Sequence, residues 1–233
     1  MASAPPGTPT ATSFSGNPTV GALFRNGTSS RHSCTASVVA SPGHNLLITA
    51  AHCLDGDPNG WLFAPGYDRG KTPYGVWTVM SAYLPSQWLD GQDPHYDYAF
   101  LRIRRQWHHG NLLGIQDITG ANSLGLAPGS KWKITDVAYN NGINDDPIEC
   151  TTTVYYANGY PAFNCHGFVG GSSGSPWLNH GYVDGLIGGW HQGGCFEYTS
   201  YSAPFTSDID DLWWRATQSG PGDVAPAPGG DGC

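Results

Sequence analysis

Glycine and proline divide this chain into short segments. The 233 residues include 33 glycines and 18 prolines, and only 12% of the residues are charged. Because Gly and Pro mark turns and interrupt helices, the apolar runs between them have the length of β-strands rather than of long helices. We therefore expect an all-β protein. Strand-like runs lie near residues 18–24, 34–40, 46–50, 75–83, 97–103, 131–139, 151–157, 176–178, 182–190 and 197–203.

One segment near the end of the sequence has the pattern of a helix. Residues 207–211 (SDIDD) place acidic side chains in a first helical turn, where they complement the helix dipole, and apolar residues follow. The two flanks of the chain differ from the rest in composition. Residues 1–16 are rich in Ala, Ser, Thr, Pro and Gly and are expected to be loose. Residues 219–233 are expected to form a Pro/Gly-rich tail.

Three short motifs carry the side chains of a nucleophilic hydrolase. In chain order, TAAHC contains His52, DYAFL begins with Asp97, and GSSGSP contains Ser173. A serine hydroxyl is a weak nucleophile unless a base such as histidine takes its proton, and a buried carboxylate orients that histidine. The motifs therefore predict His52, Asp97 and Ser173 as catalytic residues. Asp93 is the alternative acid in the same loop.

These motifs resemble those of the chymotrypsin-like (trypsin-like) serine peptidases, in particular secreted bacterial members of actinomycete type. TAAHC matches the family motif at every position, and GSSGSP stands where the family has GDSGGP. The resemblance implies two six-stranded antiparallel Greek-key β-barrels, with the active site between them and a short C-terminal helix. We expect the first barrel, with the histidine and aspartate, over residues 17–115. The second barrel, with the serine, the specificity pocket and the helix, is expected over residues 116–218.

The resemblance also assigns the oxyanion hole to the backbone N–H groups of Gly171 and Ser173. Many members carry an aspartate before the nucleophile, and it pairs with a newly cleaved amino terminus. This chain has Ser172 at that position, and a neutral serine cannot form that ion pair. We therefore expect a different route of maturation, such as removal of an inhibitory propeptide.

The specificity pocket departs from the trypsin type. The position of the acidic pocket floor falls at Gly167, next to Phe168, and neither is charged. We expect Arg and Lys substrates to be poor unless another acid, such as Glu197, enters the pocket. A protonated His191 or His166 would favour an acidic side chain, so acidic, aromatic and small apolar preferences stay open. The residues assigned to substrate binding are Gly167, Phe168, Gly188, Gly189, Trp190 and His191, of which 188–190 resemble the segment that pairs with the substrate backbone.

Six cysteines favour an oxidising compartment, and we expect the protein to be secreted and extracellular. The family joins the pair equivalent to Cys34 and Cys53, and this disulfide is expected here. Cys150 and Cys165 flank a hairpin-like stretch and are expected to form a second one. The pairing of the two remaining cysteines, Cys195 and Cys233, is open.

Charge and motif content limit the partners. The formal net charge of −8 argues against binding to nucleic acid or to anionic membranes. His95, His108 and His109 lack Cys or carboxylate neighbours at metal-ligand spacing, so neither a metal nor a cofactor is expected. The expected partners are a polypeptide substrate and, before maturation, a propeptide or protein inhibitor. The chain is expected to be a monomer.

Two other functions fit parts of the sequence. Residues 170–174 (GGSSG) also satisfy the Gly-x-Ser-x-Gly motif of α/β-hydrolases, with Ser172 as the nucleophile of an ester hydrolase. That fold needs the order Ser, acid, His and long helices, and neither is found here. A non-catalytic binding module on the same fold is the other alternative, for which the nine tryptophans would supply a binding surface. The complete set of catalytic side chains argues against it.

Overall fold

The structure, a computed structural model, describes residues 3–142, 144–218 and 220–233. Short strands dominate these ranges, as the distribution of Gly and Pro predicts. The strands are β1 (Thr12–Ser13), β2 (Val20–Phe24), β3 (Cys34–Val39), β4 (Leu46–Thr49), β5 (Leu62–Pro65), β6 (Trp77–Tyr83), β7 (Ala99–Ile103), β8 (Gln106–His108), β9 (Asn111–Leu113), β10 (Ser123–Leu124), β11 (Lys133–Ala138), β12 (Ile148–Thr153), β13 (Tyr155–Ala157), β14 (Tyr160–Asn164), β15 (Pro176–Asn179), β16 (Tyr182–Leu186) and β17 (Thr199–Tyr201).

Helices are few and short. The expected helix is present as α3 (Ser207–Thr217), with Asp208 and Asp210 in its first turn and a buried face of Ile209, Leu212 and Ala216. Its acidic first turn complements the helix dipole. The other helices are α1 (Ser86–Gly91) and α2 (Ile115–Thr119), with 3-10 turns at Ala51–Cys53, Pro94–Tyr96 and Trp190–Gly193. In the part of the chain that the structure describes, no helix has the length and apolar character needed to cross a membrane.

The first half of the chain forms a closed six-stranded barrel. Its strand order is β2-β3-β4-β7-β6-β5, and each neighbouring pair is antiparallel. All residues of β2, β3 and β4 are buried. Closure leaves no free sheet edge in this barrel, so its backbone groups are paired all round. The barrel is a rigid support for the loops that leave its strands.

The strands of the second half form one sheet of six strands and one of three. The order of the first is β1-β12-β11-β15-β16-β10, and the order of the second is β13-β14-β17. Pairing is antiparallel except between β10 and β16. A core of aromatic and aliphatic side chains, including Phe163 and Trp177, lies in this half. The all-β class with a helix near the end is confirmed.

The two flanking segments are more ordered than their composition predicts. Thr12 pairs with Glu149 in the six-stranded sheet, and the His166 N–H donates to the Pro9 carbonyl at 2.8 Å. Ala225 pairs with Gly56 through two hydrogen bonds of 2.9 and 3.0 Å. These contacts join residues far apart in the sequence, so composition carries no sign of them.

All six cysteines are joined in disulfides. The bonds are Cys34–Cys53, Cys150–Cys165 and Cys195–Cys233. The first ties β3 to the 3-10 turn that follows β4, and the second joins β12 to the residue after β14. The third, which the sequence left open, ties the end of the sequence to the second half of the chain.

Candidate active site

His52 and Asp97 meet at the end of the first barrel. His52 lies in the 3-10 turn after β4, and Asp97 lies just before β7, which pairs with β4. The Nδ1 atom of His52 is 2.7 Å from Asp97 Oδ2, and the His52 backbone N–H donates to Oδ1 at 2.9 Å. The adjacent Cys34–Cys53 disulfide fixes the turn. This arrangement leaves Nε2 of His52 to act as a base.

Asp97 is an almost ideal orienting group because it is enclosed and fully bonded. Its exposed fraction is 0% and that of His52 is 8%. A third donor, the Gly189 N–H, reaches Asp97 Oδ2 at 2.8 Å from the second half of the chain. Asp93, the alternative acid, instead accepts from the His95 N–H at 2.9 Å and caps an exposed turn.

Ser173 lies on a loop that both halves of the chain hold in place. Its carbonyl accepts from the Thr35 N–H in β3 at 2.8 Å, and the next N–H, that of Gly174, donates to Ile187 at 2.7 Å. Gly174 has a φ of +81°, and a Cβ there would lie 2.2 Å from Thr49 Oγ1. Glycine is therefore required after Ser173, because the loop packs directly on the first barrel.

The N–H groups of Gly171 and Ser173 have no acceptor among the described residues. Gly171 has a φ of +99°, and a Cβ on it would lie 2.3 Å from the Asn141 nitrogen. Its carbonyl is held by the Thr35 hydroxyl at 3.1 Å, which sets the orientation of the loop. Two N–H groups without an acceptor on the loop of Ser173 are the kind of donor that can bind an oxyanion.

A cavity of about 460 Å³ is lined by residues from both halves of the chain. His52 and Ser173 both line it, and so do Phe168 and His191 from the predicted substrate-binding set. Phe168 is 5% exposed and packs edge-on against Phe163 at 5.4 Å between ring centroids. The cavity therefore joins the predicted nucleophile and base to an aromatic surface.

The other predicted binding residues act mainly through their backbone. The Gly188 N–H donates to the Tyr201 carbonyl at 2.9 Å, while the Gly188 carbonyl has no donor among the described residues. Trp190 begins a 3-10 turn in which His191 has a φ of 53°. Gly189 has a φ of 74°, its N–H donates to Asp97, and its carbonyl accepts from the Gln192 N–H at 2.9 Å. The Gly188 carbonyl is therefore free to accept from an added strand, whereas the backbone groups of Gly189 are occupied.

Glu197 also lines the cavity, but both of its carboxylate oxygens have partners. His166 Nδ1 donates to Oε1 at 2.6 Å, and the Gly167 N–H donates to Oε2 at 2.7 Å. Partial burial raises the pKa of Glu197, but these two hydrogen bonds outweigh it and lower the pKa below its ordinary value. Glu197, which the sequence offered as a possible counter-charge, is thus already bonded to His166 and to the Gly167 backbone.

No sequence motif pointed to Asp136, which contacts Ser175 at the end of the serine loop. Asp136 is fully buried in β11, and the Ser175 hydroxyl lies 2.9 Å from each of its carboxylate oxygens. Burial raises the pKa of Asp136 well above its ordinary value, and the Ser175 hydrogen bond opposes that shift only in part. An acidic residue within a strand was the only signal available in the sequence.

Asn140 and its hydrogen-bond partners form a second group that no sequence motif indicated. Its side chain donates to the Gly167 carbonyl at 2.8 Å and accepts from the Val169 N–H at 3.1 Å. Its carbonyl accepts from Nε2 of His32, which is buried and lies 2.5 Å from Asp145. Asn140 therefore holds the segment that leads into the serine loop. No short motif marks these residues, because they come together only in the folded chain.

Comparison with known proteins gives the same architecture. The protease Anisep from Arthrobacter nicotinovorans superposes with a TM-score of 0.74 and 22% identity, over 89% of this chain and 99% of that one. A thermostable serine protease, AL20, from an extremophilic microorganism superposes with a TM-score of 0.72 and 23% identity, over 88% of this chain and 99% of that one.

Matches found by sequence cover less of the chain than the structural matches do. No family model matches the chain. A curated protein of Bacillus subtilis (strain 168), named extracellular metalloprotease, is 30% identical over 100 residues, which are 41% of this chain and 30% of that protein. The chain therefore matches under a third of the length of this relative. The structural likeness, in contrast, extends over most of the chain, and it shows that this protein has the fold of the chymotrypsin-like serine proteases.

Proposed function

We propose that this chain is a secreted serine endopeptidase with Ser173 as nucleophile, His52 as general base and Asp97 as the orienting acid. One observation carries the proposal. His52, whose Nδ1 is 2.7 Å from the buried Asp97 carboxylate, lines one cavity with a serine whose loop has two N–H groups without an acceptor among the described residues. Nucleophile, base, orienting group and oxyanion donors are the parts that acyl transfer requires.

The reaction follows from these positions. Ser173 Oγ forms a bond to the carbonyl carbon of the scissile peptide while its proton passes to His52 Nε2. His52 then gives that proton to the leaving amine, the C–N bond breaks, and an acyl-enzyme remains. In the second half of the reaction, water gives a proton to His52 and its oxygen bonds to the ester carbonyl carbon. The bond from that carbon to Ser173 Oγ then breaks, His52 returns the proton to Oγ, and the carboxylic acid product leaves. Asp97 stabilises the imidazolium that forms on His52.

The developing oxyanion lies between the N–H groups of Gly171 and Ser173. These donors are already oriented, because the carbonyls of the same two peptide groups are bonded: the Gly170 carbonyl accepts from the Asn141 N–H, and the Ser172 carbonyl accepts from the Ser175 N–H at 3.0 Å. Preorganised donors of this kind are each worth roughly 100- to 1000-fold in rate. Since Ser172 bonds within its own loop, to the Val169 carbonyl at 2.8 Å, the loop does not depend on an ion pair at that position.

Substrate binding uses the cavity wall and the free Gly188 carbonyl. That carbonyl has no donor among the described residues, which supports a role in accepting a backbone N–H of an extended peptide. The side chain before the scissile bond lies against Phe168 and His191. We assign residues 17–115 and 116–218 to the two halves of the enzyme. We propose a monomer with a polypeptide substrate, and a propeptide or protein inhibitor as the partner before maturation.

The name of the Bacillus subtilis relative points to the extracellular space, and the three disulfides agree with secretion. The same name implies a metal. Among the described residues, the one group with candidate ligand atoms within 4.8 Å of one another is His191, Cys195 and Cys233. Both sulfur atoms are joined to each other in a disulfide, so they cannot ligate as thiolates. These residues do not fit a metal site, and no step is assigned to one.

The alternatives fit the structure less well. An all-β chain lacks the parallel sheet and long helices of an α/β-hydrolase, and Ser172, its expected nucleophile, is 4% exposed. A binding module would not need the buried His52–Asp97 pair.

Labelling with a fluorophosphonate tests the proposal. The expected result is a single modified residue, Ser173, with no labelling of the Ser173→Ala variant. Digestion of a peptide library by the same preparation is expected to give internal cleavages. A folded, unlabelled wild-type protein would indicate the binding module instead. Labelling with hydrolysis of esters but not of peptides would indicate the ester hydrolase.

A further inference from the structure

The segment after α3 returns to the first barrel before it reaches the active-site cleft. The Asp223 N–H donates to the Ala82 carbonyl at 2.8 Å, and its carboxylate binds Arg215 at 2.6 Å. Ala225 is buried and pairs with Gly56. Residues 220–225 are therefore anchored on the first barrel, and the remaining residues, 226–233, start from a fixed point.

Residues 226–233, called the strap below, then cross from the first half of the chain to the second. Gln92, at the end of α1, donates to the Ala227 carbonyl at 2.9 Å and accepts from the Gly229 N–H at 2.8 Å. On the other side, Gln192 donates to the Gly229 carbonyl at 2.7 Å. His191 donates to the Asp231 carbonyl at 2.7 Å. The strap thus bridges two loops that belong to opposite halves.

The strap ends in a covalent link. Cys233 is bonded to Cys195, which follows the 3-10 turn Trp190–Gly193. The strap's hydrogen bonds are exposed and compete with water, so they hold it only weakly. The disulfide makes the crossing permanent, because the strap is then fixed at both of its ends.

The position of the strap bears on the path of a substrate. A second cavity, of about 560 Å³, lies between the strap, α1 and Gly189. His191, Gln192 and Asp231 line both this cavity and the one that holds Ser173. The strap therefore lies between the two cavities. A peptide that passes from Ser173 by the Gly188 carbonyl towards the second cavity, which Gly189 lines, meets the strap.

We propose that the strap determines specificity by limiting the length of polypeptide on one side of the scissile bond, the side that runs along Gly188 and Gly189. This inference rests on the proposed peptidase function. It predicts an enzyme that acts best on substrates with a short segment on that side. The other side of the scissile bond is not restricted by the strap.

Three forms of the protein test this role. They are the full chain, the full chain with Cys195→Ser and Cys233→Ser, and a Cys195→Ser chain that stops after Ala225. Each is assayed with two series of fluorogenic peptides, one lengthened on the amino side of the cleavage site and one on the carboxyl side. A p-nitrophenyl ester of a single N-acetyl amino acid, too short to reach the strap, serves as the reference substrate.

In the full chain, kcat/KM is expected to fall in one series once the added residues reach the strap. For the shortened chain, kcat/KM for the longest peptide of that series is divided by kcat/KM for the ester. This ratio is expected to be about tenfold higher than in the full chain. The same ratio for the Cys195→Ser, Cys233→Ser variant is expected to lie between those of the full chain and the shortened chain. This variant provides the test if the shortened chain does not fold.

An unchanged ratio in both variants, or an equal rise in both series, would overturn the strap's role. Fluorophosphonate labelling separates this failure from that of the enzyme itself. A labelled full chain with unchanged ratios refutes the strap alone. A folded full chain that is not labelled refutes the peptidase proposal and the strap with it.

Discussion

Asp97 accepts a hydrogen bond from the Gly189 N–H at 2.8 Å, across the boundary between the two halves of the chain. The same oxygen of Asp97 lies 2.7 Å from His52 Nδ1. Orientation of the predicted base therefore depends on the second half being folded against the first. Gly189 also precedes the 3-10 turn whose His191 and Gln192 bond to the strap, so one segment contacts both the acid and the strap.

Replacement of Asp97 by Asn is expected to reduce kcat by about 10⁴. The amide would present a donor to His52 and favour the wrong tautomer, while its size keeps the site intact. The measurement is kcat on a peptide substrate at saturating concentration. Asp93→Asn is the matched control and is expected to stay near the wild-type rate, because Asp93 caps an exposed turn. The reverse outcome would reassign the acid.

Ser173→Ala is expected to reduce kcat by roughly 10⁶ without loss of the fold, since only the nucleophile is removed. Ser172→Ala removes one hydrogen bond, to Val169, and is expected to retain activity within about tenfold. Turnover of peptide and circular dichroism of both variants check this pair. An inactive Ser172→Ala beside an active Ser173→Ala would show that the motif register is wrong.

Gly171→Ala is expected to lower kcat by roughly 100- to 1000-fold through loss of an oxyanion donor. Its Cβ would lie 2.3 Å from the Asn141 nitrogen, so the loop must move. Gly170→Ala is the control, because a Cβ at Gly170 meets nothing within 4 Å. The measurement is steady-state kcat of the two variants on the same peptide substrate. Equal rates would argue against the Gly171 N–H as a donor.

Substrates with Arg before the scissile bond are expected to be poor. Gly167 and Phe168 carry no charge, and the Glu197 carboxylate is already bonded to His166 and to the Gly167 N–H. The check is kcat/KM for matched peptides ending in Arg, Phe, Leu and Glu, with wild type and Glu197→Gln. A dominant preference for Arg that disappears in Glu197→Gln would show that Glu197 enters the pocket as a counter-charge.

Asp136 is expected to make stability depend on pH. Burial raises the pKa of the folded-state carboxyl, so the folded chain binds the proton more tightly than the unfolded chain. The stabilisation from Asp136 is complete below the unfolded-state pKa, about 3.9. It is lost as the pH rises through the higher folded-state pKa.

Asp136→Asn lacks this titration. The free energy of unfolding of the wild type minus that of Asp136→Asn is therefore expected to decrease as the pH rises, and then to level off. Denaturant titrations of both proteins across this range measure the difference. A difference that does not change with pH would mean that Asp136 binds no extra proton in the folded state.

The sequence by itself was enough for the fold class and for the choice of His52, Asp97 and Ser173 as the predicted catalytic residues. Strand length follows from the spacing of Gly and Pro, and the three motifs are local patterns that one segment can display. The pattern did not indicate the short strands β1, β8, β9 and β10, nor the longer strands β5 and β14. The last two share a feature. Each contains a proline and depends on its neighbours for pairing.

Only the tertiary structure decided which groups meet. The bond from Gly189 to Asp97 spans 92 residues, and that from Gln92 to Ala227 spans 135. The buried Asp136–Ser175 pair, the partners of Glu197 and the path of the strap are likewise contacts between distant segments. Such contacts are set by how the two halves pack together. Neither residue composition nor the spacing of local motifs specifies that packing.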